Sequence, residues 1–407
     1  SSDTNNQLNS ETNDLDDINK EINNFFGTPS PESISTQNRE HIEEIESPEK
    51  FVNLVKSKSK FCILSKSTNP IYNLAMEDFI FRNTPIDKAN LASSFKSQRL
   101  MLYINDKTCV FGKNQNPFKE INLKSELLKK NGGFYDLVRR YSGGGTVVHD
   151  VGNVNYSYLT SRNEFDQKFF NSFIVSLVNS HLSANQSHLL DVSINSNMTY
   201  NGLLGMNERG DITCNGYKVS GSAFKIALNK SYHHGTMLID SNLKEFSKIM
   251  RPKLRKNDVA NNGIRYDMEE FSEETDVNSV RSPIENLKKL TNNALSTPEQ
   301  FIQILINGFK TLFSNNQDLK VYSISPEKVD FKEVYNVCTE RDLRNTSKGF
   351  IELNTKDWTY KHTPSFKYTN KITGFYYRVK KGVIIETNDT DNNIELSKTM
   401  FNDSYMV

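Results

Sequence analysis

The dipeptide Asn215-Gly216 constrains this chain most, because it fixes how two neighbouring segments must pair. It lies within DITCNGYKVSGSA, residues 211–223, between two stretches of alternating side chains. Asn-Gly in such a setting predicts a two-residue β-hairpin, since both residues readily adopt the positive φ angles that the turn requires. The chain is therefore expected to contain antiparallel strands.

The length of the loop also sets the register of the hairpin and the faces of its side chains. Directly paired residues share a face, so one face is expected to pack on the core and carries Ile212, Cys214, Tyr217 and Val219. The opposite, polar face carries Asp211, Thr213, Lys218 and Ser220. Lys218 then either projects into a polar site beside the small residues SGSA or is a solvated strand lysine.

Helical and strand patterns are mixed along the rest of the chain. NPIYNLAMEDFIF predicts a helix with Asn69 as N-cap and Pro70 in the first turn. Residues 164–182 have helical apolar spacing, and Thr297 with Gln300 forms a capping box before a further helix.

Four segments read as strands, namely RLMLYIND, TCVFGK, FYDLVRRY and NVNYSYLT, and the last is expected to be the antiparallel partner of FYDLVRRY. Helices mixed with antiparallel strands predict an α+β fold with a mixed, mainly antiparallel sheet and flanking helices, rather than a doubly wound one.

Composition along the chain suggests its domain organisation. Residues 1–50 are polar and are predicted to be a disordered leader, too acidic for an Arg-rich transit peptide. A main domain is expected over 51–335, with a polar surface insertion at 252–282. Residues 345–407 hold short β-like runs and are predicted to form a small C-terminal α/β domain.

Charge and cysteine usage exclude several classes of function. Fifty Lys and Arg balance 49 Asp and Glu, which argues against a general nucleic-acid binder. No run of 18 apolar residues is present, so no membrane span is expected. The four cysteines are scattered and form no CxxC, which argues against a structural zinc site or a disulfide framework and suits a reducing compartment.

The segment RRYSGGGTVVHD, residues 139–150, places three glycines beside two arginines. Their N–H groups could form a concave nest for phosphate oxygens, with an arginine as a charged donor. The alternative is a tight turn at a sheet edge with solvated arginines. Strand alternation sends Arg139 and Arg140 to opposite sides, so only one would reach a ligand. No Walker signature is present, which excludes a P-loop NTPase.

Two histidine pairs invite a functional interpretation. His149-Asp150 could serve acid–base chemistry, and His233-His234 could bind a metal. Adjacent strand residues face opposite ways, and no HExxH or spaced carboxylate set accompanies them. Structural roles are therefore expected for both pairs.

Together these stretches resemble the lipoate-protein ligase A and lipoyltransferase family. The resemblance rests on six stretches in the family's order over roughly residues 60–290: NPIYNLAMEDFIF, VFGKNQNPFKEIN, RRYSGGGTVVHDVGNVNYSY, GYKVSGSAFK, HHGTML and SVRSPIENL. TKDWTYKHTPSF resembles the opening of the family's accessory domain. The resemblance implies a catalytic domain like that of biotin protein ligases and class II synthetases.

The resemblance also implies a site. In the family the arginine–glycine segment lines the site of ATP and the acyl-adenylate. Nucleotide or adenylate contacts are thus implied for Arg140, Gly143, Gly144, Gly145, Thr146, Val147, Val148 and Lys218, the last also catalytic. Lipoate contacts are implied for Lys218, Arg140, Ser142, His149 and Gly221. No metal ligand is implied, although ATP would come with Mg²⁺ if the protein is a ligase.

These residue types suit the implied chemistry. A carboxylate that attacks an α-phosphate needs fixed cations to offset charge repulsion. The mixed anhydride of lipoate or octanoate is then attacked by a lysine of a lipoyl domain, and proximity suffices without a protein nucleophile. Cys214 is predicted to face away from Lys218, which counts against a thioester.

Several alternatives stay open at this point. The acyl donor is either free lipoate with ATP, or acyl-CoA or a lipoylated protein such as glycine cleavage H protein. A non-catalytic binding module is a second class, which Lys218 and the complete glycine loop argue against. A biotin ligase fits GYKVSGSA and HHGTML less well.

The expected partners are the lipoyl domains of E2 subunits of 2-oxoacid dehydrogenases, with no nucleic acid and no membrane. A monomer is expected, and the resemblance implies a mitochondrial location, although no targeting segment is visible. Thr146 and Val148 stand where the family has a small residue and an aromatic, so acyl preference is open. The long leader and the acidic stretch at 265–278 are further departures.

Overall fold

The computed structural model describes residues 42–86, 96–186, 203–251, 266–273, 276–313, 319–339, 349–392 and 394–405. Its strands are β1 Ile42–Glu44, β2 Phe61–Ser65, β3 Arg99–Tyr103, β4 Thr108–Phe111, β5 Asp136–Arg139, β6 Val147–His149, β7 Asn153–Ser161, β8 Leu204–Met206, β9 Ile212–Cys214, β10 Tyr217–Lys218, β11 Ser222–Ala227, β12 Lys230–Leu238, β13 Glu269–Ser272, β14 Lys320–Ile324, β15 Phe366–Asn370, β16 Tyr376–Lys380 and β17 Val383–Thr387. Its α-helices are α1 Pro48–Lys56, α2 Pro70–Asn83, α3 Pro117–Glu120, α4 Phe169–Gln186, α5 Leu243–Ile249, α6 Leu287–Leu290, α7 Pro298–Phe313, α8 Phe331–Val337, α9 Gly349–Glu352, α10 Lys356–Lys361 and α11 Phe401–Tyr405.

The largest sheet has seven strands in the order β1-β14-β2-β3-β7-β12-β11. The first four strands pair in parallel, and the pairs from β3 to β11 are antiparallel. Side chains of β3 alternate between two apolar clusters, with Leu100 and Leu102 in one and Met101 and Tyr103 in the other. Helices α4 and α7 supply the first cluster and α1, α2 and α8 the second. The predicted α+β class, with a mixed sheet between flanking helices, is confirmed.

One predicted strand pairing is wrong. Strand β7, which contains NVNYSYLT, pairs with β3 and β12 and not with the strand of FYDLVRRY. That strand is β5, which pairs in parallel with β4 in a separate three-stranded sheet, and β6 returns antiparallel on β4. Eight of the nine residues of β7 are buried. As a central strand of the large sheet, β7 is covered on both faces, which buries its residues more completely than pairing in the small sheet would.

The helix starts follow local side-chain chemistry. Asn69 caps α2, because its Oδ1 accepts from the backbone N–H of Ile71 at 2.9 Å and of Tyr72 at 3.2 Å. The capping box of α7 is also confirmed, since Thr297 and Gln300 exchange backbone-to-side-chain hydrogen bonds. Helix α4 begins at Phe169 rather than 164, because the Asp166 carboxylate accepts from Phe169 N–H at 3.0 Å.

The ends of the predicted domains show more structure than their composition indicates. Residues 42–44 of the predicted leader form β1, and α1 begins at Pro48, whereas residues 1–41 lie outside the described residues. Of the predicted insertion, 252–265 lies outside the description, and β13 pairs with β15 in a four-stranded sheet that also holds β16 and β17. The division into domains stays a prediction.

Candidate active site

The Asn-Gly hairpin forms as predicted. Tyr217 pairs with Cys214 and Lys218 with Thr213, and the turn residues Asn215 and Gly216 have φ angles of 50° and 79°. Beyond the strands, Val219 N–H donates to the Ile212 carbonyl at 3.0 Å, which continues the predicted register.

The two faces of the hairpin differ almost as predicted. Ile212, Cys214 and Val219 are buried in the core, whereas Tyr217, expected beside them, is 42% exposed. In the pair next to the turn, burial therefore continues on the Cys214 side and ends on the Tyr217 side. Burial raises the pKa of the Cys214 thiol to about 11, which keeps the thiol protonated and a poor nucleophile.

Lys218 lies on the polar face and is not simply solvated. Its ammonium donates to the Asp211 carboxylate at 2.8 Å, and its side chain lines a cavity together with Asp211. Asp211 also pairs with Arg209 at 3.3 Å. The carboxylate therefore holds two cations at the cavity wall.

Arg139 is structural, as strand alternation requires for one of the two arginines. Its fully buried guanidinium donates to the carbonyls of Lys113 at 2.7 Å, Gln115 at 2.9 Å and Thr359 at 2.9 Å. It also donates to the Thr363 hydroxyl at 2.8 Å. This arginine joins the loop after β4 to the segment that contains α10.

Arg140 lies on the other side and lines the cavity. Its Nη2 donates to the carbonyls of Gly143 at 2.6 Å and Gly145 at 2.7 Å, so the glycine loop wraps around the guanidinium. Burial lowers the pKa of Arg140 to about 10, which leaves it charged at neutral pH. Gly144 has a φ of +84°, and a Cβ there would lie 3.0 Å from Arg140 Nη2 and from Ala223 Cβ.

A chain of buried hydrogen bonds runs back from Arg140. Its Nε donates to Ser142 Oγ at 2.9 Å, and Ser142 Oγ lies 2.7 Å from His234 Nε2. His234 Nδ1 in turn lies 2.9 Å from a carboxylate oxygen of Glu77 on α2. The carboxylate of Glu77 is thus linked to the guanidinium through His234 and Ser142, which fixes the orientation of Arg140.

Sequence reasoning missed Glu77 and expected His234 to be structural. His234 lines the cavity and Glu77 lies behind it, an arrangement that follows from the pairing of β12 with β7 and the packing of α2, which no local pattern encodes. One signal was present in the sequence: Glu77 lies within the largely apolar helix segment NPIYNLAMEDFIF, and a carboxylate buried in such a helix needs a partner. His233, one residue earlier, is enclosed by Phe224 and Phe170 in the core, and burial lowers its pKa to about 3.

The cavity has a volume of about 320 Å³ and collects most of the predicted site residues. Those that line it are Arg140, Gly144, Gly145, Thr146, Val147, His149, Lys218 and Gly221. Ser142 and Gly143 contact it only through Arg140. Val148 packs in a core cluster on the other face of β6, so its side chain does not line the cavity.

A segment after β13, residues 277–280, forms a further wall that the sequence did not place at the site. Ser279 Oγ accepts from Thr146 N–H and from Gln115 Nε2, each at 3.0 Å. Ser279 N–H donates to Glu120 at 3.0 Å. The N–H group of Thr146, directly after the three glycines, is therefore bonded to this wall.

The lining combines cationic and apolar groups. The lining contains three cationic side chains, Arg140, Arg209 and Lys218, and one carboxylate, that of Asp211. The remaining walls include the apolar side chains of Leu74, Val110, Val147 and Ala223. Such a cavity suits an amphiphilic acid with an anionic head and an apolar tail.

Among the residues that the structure describes, no group of three or more His, Cys, Asp or Glu side chains could hold a metal ion. No helix within the described ranges is long and apolar enough to cross a membrane.

A family model described as the lipoyl protein ligase A/B catalytic domain matches residues 69–310, more than half of the chain. The chain belongs to this family. As a member of the lipoyl protein ligase A/B family, the protein is an enzyme. The matched residues include the glycine loop, the hairpin and the wall at 277–280. The resemblance inferred from the motifs is confirmed.

The names of individual relatives agree with the assignment of this chain to the family. A Saccharomyces cerevisiae protein named "Putative lipoate-protein ligase A" is 37% identical over 93% of this chain and 76% of its own length. A Schizosaccharomyces pombe protein of the same name is 31% identical over 75% of this chain and 72% of its own. This chain shares its fold with the crystal structure of P. falciparum LipL1 in complex with lipoate, with a TM-score of 0.52 and 24% identity over 81% of this chain and 84% of that one.

Proposed function

We propose that the protein activates free lipoate with MgATP to lipoyl-AMP. It then transfers the lipoyl group to a specific lysine of the lipoyl domains of 2-oxoacid dehydrogenase E2 subunits. The observation that carries the proposal is the cavity in which buried Arg140 and Lys218 lie beside apolar walls. The name of the yeast relatives, lipoate-protein ligase A, supports lipoate as the acid.

In the first step a carboxylate oxygen of lipoate attacks the α-phosphorus of ATP, and pyrophosphate leaves. Both reactants are anionic, so the guanidinium of Arg140 and the ammonium of Lys218 offset their repulsion and the charge that builds up on the phosphate. Mg²⁺ arrives with ATP as part of the substrate. Asp211 holds Lys218 in place before the nucleotide binds.

In the second step the amine of the acceptor lysine attacks the acyl carbonyl of lipoyl-AMP, and AMP leaves. The new amide bond needs no cysteine of this chain, and Cys214 lies on the opposite face of the hairpin from Lys218. Holding the two reactants together supplies most of the rate enhancement.

Incubation with an apo lipoyl domain tests the proposal. Lipoate with MgATP is compared with lipoyl-CoA, octanoyl-CoA and lipoylated glycine cleavage H protein as donors, and the product mass identifies the acyl group transferred. Transfer from lipoate only when MgATP is present is expected. A lipoyl domain whose acceptor lysine is replaced by arginine is the matched control and stays unmodified.

Transfer from acyl-CoA or the H protein without ATP would replace the ligase assignment with the transferase one. No transfer from any donor would contradict both. A mitochondrial location and a monomeric state are proposed on the family resemblance alone. Cell fractionation and sedimentation of the protein test them.

A further inference from the structure

His149 ends β6 at the buried part of the cavity and has an unusual hydrogen-bond environment. It is 4% exposed and lines the cavity. Its Nδ1 lies 3.0 Å from Asn105 Nδ2, whereas its Nε2 has no hydrogen-bond partner among the described residues. One ring nitrogen is thus held by the protein, and the other is buried without a hydrogen-bond partner among the described residues.

The identity of the Asn105 atom that faces His149 follows from Asn73. Asn73 Nδ2 lies 2.9 Å from the Ser67 carbonyl and 3.2 Å from the Ile104 carbonyl. Carbonyl oxygens only accept, so this end of the Asn73 side chain must be the amide nitrogen. The same nitrogen donates to Asn105 Oδ1 at 2.9 Å. The other end of Asn105, its Nδ2, therefore faces the histidine.

This orientation decides the tautomer of His149. Asn105 Nδ2 is a donor, so His149 Nδ1 must accept and carries no proton. In a neutral imidazole the proton then lies on Nε2. Burial and the nearby positive charge of Arg140 lower the pKa of His149 to about 3, so the ring is neutral at physiological pH.

We propose that Asn73 and Asn105 are positioning residues that hold His149 as a permanent Nε2–H donor into the cavity. There it hydrogen-bonds an acceptor atom of the bound acid. That acid is lipoate if the proposed function is right, and the acceptor is either a carboxylate oxygen or a ring sulfur. The same tautomer excludes His149 as the base for the incoming lysine, because Nε2 already carries its proton.

The variant Asn105→Asp tests the tautomer with almost no change in shape. A carboxylate still accepts from Asn73, but it also accepts from His149 Nδ1–H. Above the new pKa of the ring, Nε2 becomes a bare acceptor. Below it, the imidazolium donates from both nitrogens, so the Nε2–H is restored.

Other charged groups must stay constant in this experiment. Besides burial, the groups that act on the pKa of His149 are Arg140 and His234, and His234 keeps its contact with Glu77. The Asp150 carboxylate accepts from the backbone N–H groups of Gly152 and Asn242. Asn122→Asp, which buries a new carboxylate beside the Lys248 carbonyl, is the matched control.

Nitrogen NMR of the full-length protein labelled with ¹⁵N-histidine reads the tautomer directly, with His149→Gln to assign the signal. The wild type is expected to show His149 protonated at Nε2 only, unchanged between about pH 5.5 and 8.5. A signal protonated at Nδ1, or an imidazolium in that range, would overturn the proposal. This measurement needs neither substrate nor activity.

Calorimetric titration with lipoate across the same pH range tests the contact. Wild type and Asn122→Asp are expected to bind with nearly constant affinity. Asn105→Asp is expected to bind normally at low pH and on the order of tenfold more weakly at high pH. A pH-independent affinity equal to that of the wild type would overturn the contact.

Octanoate distinguishes the two acceptors. It has the carboxylate of lipoate but no sulfur, so a loss for both acids places the contact at an oxygen, and a loss for lipoate alone places it at sulfur. If the wild type shows the Nε2 tautomer but binds neither acid, the proposed function fails while the assignment of Asn73 and Asn105 stands.

Discussion

Arg139 is the last residue of β5 and Arg140 follows it, but the two arginines have different roles. Arg139 donates to backbone carbonyls on two sides of the core, whereas Arg140 lines the cavity and is held by Ser142 and the glycine loop. Strand alternation alone predicted that the two would separate. It could not predict which of them faces the cavity, because that depends on where the C-terminal segment packs.

Lysine substitutions are expected to separate the two roles. Arg140→Lys keeps the charge but loses the planar donor geometry. We expect it to weaken binding of a non-hydrolysable lipoyl-adenylate analogue on the order of tenfold or more, with a small change in melting temperature. Arg139→Lys leaves buried carbonyls short of donors and is expected to cost ~1–3 kcal/mol of stability.

Calorimetric titration and thermal melts of both variants check this assignment. Equal, small losses of affinity for the two would show that Arg140 is not a ligand residue.

Lys218 and Cys214, on opposite faces of the hairpin, form a second pair of residues whose roles substitutions can separate. Lys218→Ala removes a cation that stabilises developing charge and is expected to lower the rate of lipoyl transfer on the order of 100-fold or more. Folding is expected to change little, because Asp211 keeps its pairing with Arg209. Cys214→Ala leaves a small core cavity, ~1 kcal/mol or more, and retains most activity.

Single-turnover rates with an apo lipoyl domain decide between the two residues. Loss of transfer in Cys214→Ala with normal transfer in Lys218→Ala would establish a thioester mechanism instead.

At the scale of elements, predictions from sequence were right where the signal is local. The cap of α2, the capping box of α7 and the turn at Asn215-Gly216 each depend on side chains within four residues of one another. The pairing of β7, the strand β13 and the wall at 277–280 depend on partners far along the chain. Alternation shows which face of a strand is buried, but it does not name the neighbouring strand.

The glycine loop supplies a prediction at this scale. Gly144→Ala forces a left-handed φ on alanine and presses its Cβ against Arg140 and Ala223, so we expect ~1–3 kcal/mol of destabilisation. Displacing the guanidinium should also weaken adenylate binding. Gly143→Ala is the control, because a Cβ there meets nothing within 4 Å.

Titration of both variants with the adenylate analogue, beside melts, checks this. Unchanged affinity per folded molecule in Gly144→Ala would mean that the loop is only a turn.

At the scale of the whole molecule, stability depends on charges buried far from the cavity. Lys230 on β12 donates to the carbonyls of Arg82 and Thr84 at the end of α2, each at 2.8 Å. Burial lowers its pKa to about 7, below the ordinary value of 10.5. Between these values the unfolded chain binds more protons than the folded one, so this lysine makes stability rise with pH.

We therefore expect the contribution of Lys230 to the free energy of unfolding to increase from about pH 7 towards pH 9, and to decrease as the pH falls through 7. Lys230→Met should flatten that slope, whatever its effect at a single pH. Urea unfolding of both proteins at several pH values measures it. An identical slope in the variant would show that Lys230 keeps its ordinary pKa when folded.

The five hydrogen bonds of the buried Arg139 side chain limit how freely this chain could exchange parts with its relatives. Two of them reach Thr359 and Thr363, and the Trp358 indole donates back to the Arg139 carbonyl at 2.7 Å. A C-terminal segment from another protein would have to bring a carbonyl and a hydroxyl to the same two places. One buried arginine therefore constrains which C-terminal segments could replace this one.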